Sequence, residues 1–171
     1  MKLTIRKKFF IVFFILFFFA AVLSNQIMAK ILEKYTMTNL EEAVTSLQYS
    51  STQFIKQFEQ LHPQNGNFIV EHSDTLANEL SKMNNQSVAL FDSEGRFLYE
   101  AVPIDRPILM EQQRYQASVG ENSSEELKQA FQNKSSYTIQ PLREGPLLYF
   151  AYPLYLNDTL YGVVRFTADY T

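Results

Sequence analysis

"YPLYLNDTLYGVVRF", residues 152–166, decides how this chain folds. Aromatic and apolar residues fill both flanks, and Asn157-Asp158 between them marks a tight turn. The stretch reads as an antiparallel hairpin whose first arm reaches back to Pro146 and whose second arm runs from Thr159 to Asp169. Along the second arm, Leu160, Gly162, Val164 and Phe166 fall on one face. Tyr161, Val163, Arg165 and Thr167 fall on the other.

Working upstream, "SYTIQPL" at 136–142 supplies a further strand and "REGP" the turn that leads into the hairpin. "SVALFDSEGRFLYEAVP", 87–103, holds two more strands, 88–91 and 96–102, around the turn "DSEG", where Gly95 is free to take positive φ. Residues 74–84 and the stretches "RPILMEQQRYQAS" and "SSEELKQAFQNK" read as helical. The last carries a capping box, with Ser123 or Ser124 as cap and Glu126 close to the third helical position.

No Gly or Pro interrupts residues 24–61. Met37, Leu40, Val44, Leu47, Phe54, Phe58 and Leu61 recur at alternating steps of three and four, with Ser51 as the one break. That is the spacing of a packed helix seam. Ala43 and Ile55 widen the stripe, and "HPQNGN" ends the helix. The seam packs either on the chain's own sheet or, with Leu40, Val44, Leu47, Phe54 and Phe58 as contacts, on the same helix of a second chain.

In front of that helix, Phe9 to Leu23 is an unbroken apolar run of 15 residues. Extended to Ala29, it makes a helix about 31 Å long, close to the hydrocarbon thickness of a bilayer. Lys2, Arg6, Lys7 and Lys8 precede it and hold the N-terminus in the cytoplasm by the positive-inside rule. A cleaved signal peptide would share these features, but no A-x-A site follows the run; Val22-Leu23-Ser24 is the nearest substitute. Both readings export the remainder. The expected organisation is a basic cytoplasmic segment at 1–8, a transmembrane anchor at 9–29, a long membrane-proximal helix at 30–62 and an extracytoplasmic domain at 63–171.

Four of the fifteen basic residues precede the run, leaving eleven against eighteen acidic ones in the exported part. A surface this acidic argues against nucleic acid as a partner, since phosphate contacts need clustered Lys and Arg. The chain has no cysteine, which excludes disulfides, thiolate metal sites and a cysteine nucleophile. No nucleotide-binding glycine box or Ser-His-Asp arrangement is present. His72 lacks the acidic neighbour and following Pro of a kinase phospho-acceptor. Glu71, His72 and Asp74, three near neighbours on a loop, read as surface polarity and not as a metal site. The expectation is therefore no catalytic site in this chain, no metal and no cofactor.

The order is long helix, short helix, two strands, helices, three strands: an α+β domain with an antiparallel sheet of about five strands. This order resembles the extracytoplasmic PAS-like (single Cache) sensor domain of bacterial membrane receptors, especially Gram-positive sensor histidine kinases. "LFDSEGRFLYEA" is similar to that family's strand–turn–strand with an Asp-x-x-Gly turn. "YPLYLNDTLYGVVRF" is similar to its final hairpin, with Pro in the first strand and Gly in the second. The resemblance implies a signal-input region that passes ligand or partner binding through the long helix to the membrane span. It implies a second transmembrane helix beyond Thr171, a cytoplasmic kinase and a response regulator partner, while the homodimer is the expectation that the seam itself raises. It also implies a small ligand held between the sheet and the helices after the second strand, where Arg114 and Tyr115 would face Tyr137 and Tyr152. There an Arg would pair with a carboxylate and Tyr rings would wall the pocket. The plainer reading makes these half-buried sheet tyrosines and solvated arginines. A chemoreceptor, a cyclic-dinucleotide enzyme or a stand-alone anchored envelope protein are the alternative outputs, because a fold does not fix an output.

Overall fold

The computed structural model describes residues 5–61, 67–105, 124–141 and 145–170. The chain divides into two compact units, Met1–Thr45 and Ser46–Thr171. Helix α1 runs without a break from Ile5 to Leu61. In the first unit its phenylalanine run stands open on all sides, with Phe9 and Phe19 exposed alike. A helix that is apolar all round needs an apolar medium, and this one is long and apolar enough to cross a membrane.

The second unit is built on a five-stranded antiparallel sheet in the order β2-β1-β5-β4-β3. The strands are β1 (Ser87–Asp92), β2 (Phe97–Ala101), β3 (Ser136–Gln140), β4 (Leu147–Leu156) and β5 (Thr159–Asp169). The fold is the α+β arrangement expected from the sequence. Asn157 and Asp158 take φ of 50° and 62° between β4 and β5. That left-handed pair is what a two-residue hairpin turn requires, and Asn and Asp bear it best among residues with a side chain. In the β1–β2 turn, Gly95 has φ of 83°. Asp92 closes that turn by accepting the Glu94 and Arg96 N–H groups at 2.9 Å each.

Helices α2 (Phe68–Glu71), α3 (Ser73–Asn84) and α4 (Glu125–Phe131) complete the unit. Helix α2 is a single turn that the sequence does not announce. Helix α3 buries Leu76, Ala77 and Leu80, lies against β1 and β2, and ends on Asn85 in the left-handed region. The capping box at α4 does not form. Ser124 holds the N-cap position, but its side chain makes no cap hydrogen bond; Ser123 lies outside the described residues.

The two sheet faces follow from the register. Val88, Leu90, Val164, Phe166, Phe150 and Tyr152 share one face, because Val88 pairs with Phe166, Phe166 with Phe150, and Leu90 with Val164. Ala89, Phe91, Val163, Arg165, Tyr149 and Ala151 share the other. The C-terminal part of α1 lies on the first face, where Ser51 meets Tyr152. Helix α4 packs on the second, with Leu127 and Ala130 among Ala89, Phe91, Ala151 and Val163.

Tyr161 departs from the expected alternation. Its hydroxyl donates to Glu59 of α1 and its ring lies tilted against Phe68, 5.1 Å between centres, so it sits on the α1 side and not beside Arg165. The cause is an irregularity in the ladder: Leu154 pairs with Gly162 and Tyr155 with Leu160, which leaves Tyr161 as an extra, unpaired residue.

Candidate functional site

The α4-bearing face carries charge where a core would be apolar. Arg165 sits at the centre of β5 with 1% of its surface exposed. Its row across the sheet reads Glu100, Ala89, Arg165, Ala151, Ser136, one residue from each strand. Alanine on both sides gives the guanidinium room, and Ala89 lets Glu100 and Arg165 reach towards each other over its methyl group. Arg165 Nη2 lies 3.9 Å from Glu100 Oε1. Ser87 Oγ donates to that same carboxylate oxygen at 2.8 Å.

The guanidinium carbon stands 5.7 Å from the Phe91 ring centre and 5.9 Å from that of Tyr149, within cation–π reach of both. Burying an ion pair costs desolvation, which the ion pair itself, the Ser87 hydroxyl and the two flanking rings offset. Thr167 and Tyr149 extend the polar row beside Ser87. On α4, Glu126 is buried alongside Leu127 and Ala130. Ser87, Glu126, Tyr149, Arg165 and Thr167 are all buried, so these groups form a polar layer inside the unit.

Of the four residues that the resemblance put forward, the two described ones, Tyr137 and Tyr152, lie on the opposite face of the sheet. Tyr152 is fully buried in β4, stacked between Phe150 at 5.7 Å and Phe166 at 6.4 Å. Burial pushes its hydroxyl up to about 12, against the opposing effect of the Ser51 and Thr52 hydroxyls. Tyr137 is half-buried in β3 opposite Phe150, which brings it to the same face as Tyr152. That face is the α1 side, across the sheet from Arg165. Arg114 and Tyr115 lie outside the described residues. Of the seam residues in the second unit, Phe58 is buried and Leu47 and Phe54 are half-buried. In the first unit, Leu40 and Val44 are buried. His72 sits edge-on to Phe58 at 5.7 Å between ring centres.

No protein-family model matches the chain, and no curated protein matches it. Solved structures do resemble it. The ligand-binding domain of the Campylobacter jejuni chemoreceptor Tlp3 in complex with L-norvaline superposes with a TM-score of 0.54 at 12% identity, covering 78% of this chain and 53% of that one. The fold is that of a PAS-like sensor domain. The isoleucine-bound sensory domain of the same chemoreceptor gives 0.50 at 10% identity, covering 78% and 54%. The V. cholerae histidine kinase DctB sensor domain gives 0.39 at 12%, covering 65% and 41%. The chain spans about half the length of the Tlp3 domains it matches.

Proposed function

We propose that this chain is the membrane-anchored, extracytoplasmic signal-sensing region of a two-component sensor histidine kinase. In this reading the anchor occupies residues 9–29, the sensor domain lies outside, and a cytoplasmic response regulator is the downstream partner. The chain works as a homodimer along α1, and the stimulus acts by differential stabilisation of two settings of that helix. The observation that carries the sensory part is the buried Arg165–Glu100–Ser87 cluster on the α4 face of a sensor-type sheet. The Tlp3 domains are solved with amino acids, whose carboxylate suits a guanidinium in two-point contact. A small carboxylate-bearing ligand is therefore the stimulus we assign to this face.

The test is a thermal-shift series on the membrane-reconstituted chain with amino acids and simple carboxylates, run beside Arg165→Gln. A ligand that raises the wild-type midpoint and leaves the variant unmoved supports the site. No shift across the series overturns the small-ligand reading in favour of an envelope protein. A chemoreceptor output is the second reading, favoured because the solved neighbours of TM-score 0.5 or more are chemoreceptor domains. Reading the gene past the Thr171 codon for kinase motifs or a chemoreceptor signalling helix separates the two.

A further inference from the structure

Ser51 breaks the apolar seam of α1, yet it is fully buried. Its hydroxyl lies 2.6 Å from the Leu47 carbonyl oxygen and 2.6 Å from the Tyr152 hydroxyl. A serine has one proton to give. Donated back to Leu47, that proton leaves the Ser51 lone pairs to accept from Tyr152, so Tyr152 is the donor. We propose that this bond is a register pin: it fixes the α1 segment after residue 46 in one rotational and axial setting on the sheet.

The argument is one of directionality. Leu47, Phe54, Ile55 and Phe58 are the apolar members of the same seam, and apolar contact is indifferent to small slides and turns of the helix. A buried hydroxyl pair is made in one setting and lost in the others, where the tyrosine donor is left dry. A single polar position in an apolar helix seam sets register in this way, at a cost in stability. Thr52 follows Ser51 and adds a second hydroxyl beside the tyrosine in the same setting, which reinforces the pin. The pin rests on geometry within one unit and stands independently of the sensory reading.

The chain has no cysteine, so two can be placed without competition. Tyr49 on α1 and Thr159 at the β4–β5 turn are exposed and accept spin labels as Tyr49→Cys and Thr159→Cys. Pulsed electron resonance on the reconstituted full chain is expected to give one narrow distance. Adding Tyr152→Phe, which keeps the ring and leaves the Ser51 proton on Leu47, is expected to split that peak or at least double its width. Ser51→Thr, which keeps the hydroxyl, is expected to leave it narrow. An unchanged peak in Tyr152→Phe overturns the proposal. So does broadening by Ser51→Thr equal to that by Tyr152→Phe, or broadening accompanied by loss of the sheet's own cooperative unfolding, because packing would then be the cause.

Discussion

Replacing Gly162 by alanine is the sharpest test of how β5 sits in the sheet. A Cβ at this position would stand 2.0 Å from the Phe91 carbonyl oxygen, 3.1 Å from its carbon and 3.3 Å from the Asp92 Cα. All three are backbone atoms of β1, so no side chain can swing away. Strand β5 cannot retreat either, because its other edge is paired with β4 from Leu147–Asp169 to Leu156–Thr159. Relief therefore means separating β1 from β5 by more than an ångström around the Asp92–Gly162 pair. Overpacking of a tight site costs about 1 to 3 kcal/mol, and a backbone-on-backbone clash belongs at the top of that range.

With a urea dependence of about 2 kcal/mol per molar, a loss of about 3 kcal/mol moves the unfolding midpoint down by about 1.5 M. Tyrosine fluorescence is the suitable signal, since the chain has no tryptophan to mask it and α1 dominates the far-ultraviolet dichroism. Gly145 makes no control, because its φ of 136° strains any side chain although nothing lies within 4 Å, so the comparison is with the wild type. A Gly162→Ala midpoint no lower than the wild-type one would refute the β1–β5 register on which the Glu100–Ala89–Arg165 row depends.

Other outcomes follow from the same geometry. Arg165→Met takes the cation away from the buried Glu100 carboxylate and is expected to cost about 3 to 5 kcal/mol, with Arg165→Met/Glu100→Gln regaining part of it in the same urea assay. Asp92 is pushed up by burial, but the Arg96 side chain and the Arg96 and Glu94 N–H groups outweigh this and hold it below the usual aspartate value. Its contribution is thus complete above the unfolded value of about 3.9 and fades as pH falls through the lower folded one. The gap in urea midpoint between wild type and Asp92→Ala should accordingly be wide at pH 6 and narrow at pH 2.5. Met37, exposed on α1 and part of the seam, tests the homodimer: Met37→Cys should form a disulfide-linked dimer in membranes, and a monomer band alone under oxidation counts against pairing there.

Much of this was legible because the signals were local. Asn157-Asp158, the Asp92-x-x-Gly95 turn and the period-two pattern of β4 and β5 each act within a few residues, and the strands ran as read. What escaped was set by pairing across distance. Tyr161 sits on the α1 side because a ladder irregularity near Leu154 adds one residue to β5, and nothing in the local pattern marks that insertion. Arg165 was placed on its correct face by alternation. Its partner could not be inferred, since Glu100 reaches the same row only through the β2–β1 register, which itself shifts between Leu90 and Phe91. Ser51 read as a gap in the seam because the hydroxyl that completes it lies 101 residues away on Tyr152.

These long-range pairings converge on two adjacent strands. On β4, Ala151 makes room for Arg165 on one face while Tyr152, the next residue, bonds Ser51 of α1 on the other. On β5, Arg165 is flanked by Val164 and Phe166, and Phe166 stacks on Tyr152. A displacement of β5 that alters the Arg165–Glu100 contact must also carry Phe166, and with it the ring whose hydroxyl holds the helix, because successive residues of a strand share one backbone but face opposite sides. A sheet with charge on one face and a helix pinned through the Tyr152 hydroxyl on the other needs no further relay to connect them. If Arg165→Gln leaves the Tyr49–Thr159 label distance unchanged while ligand binding alters it in the wild type, the connection runs elsewhere and this account of β4 and β5 is wrong.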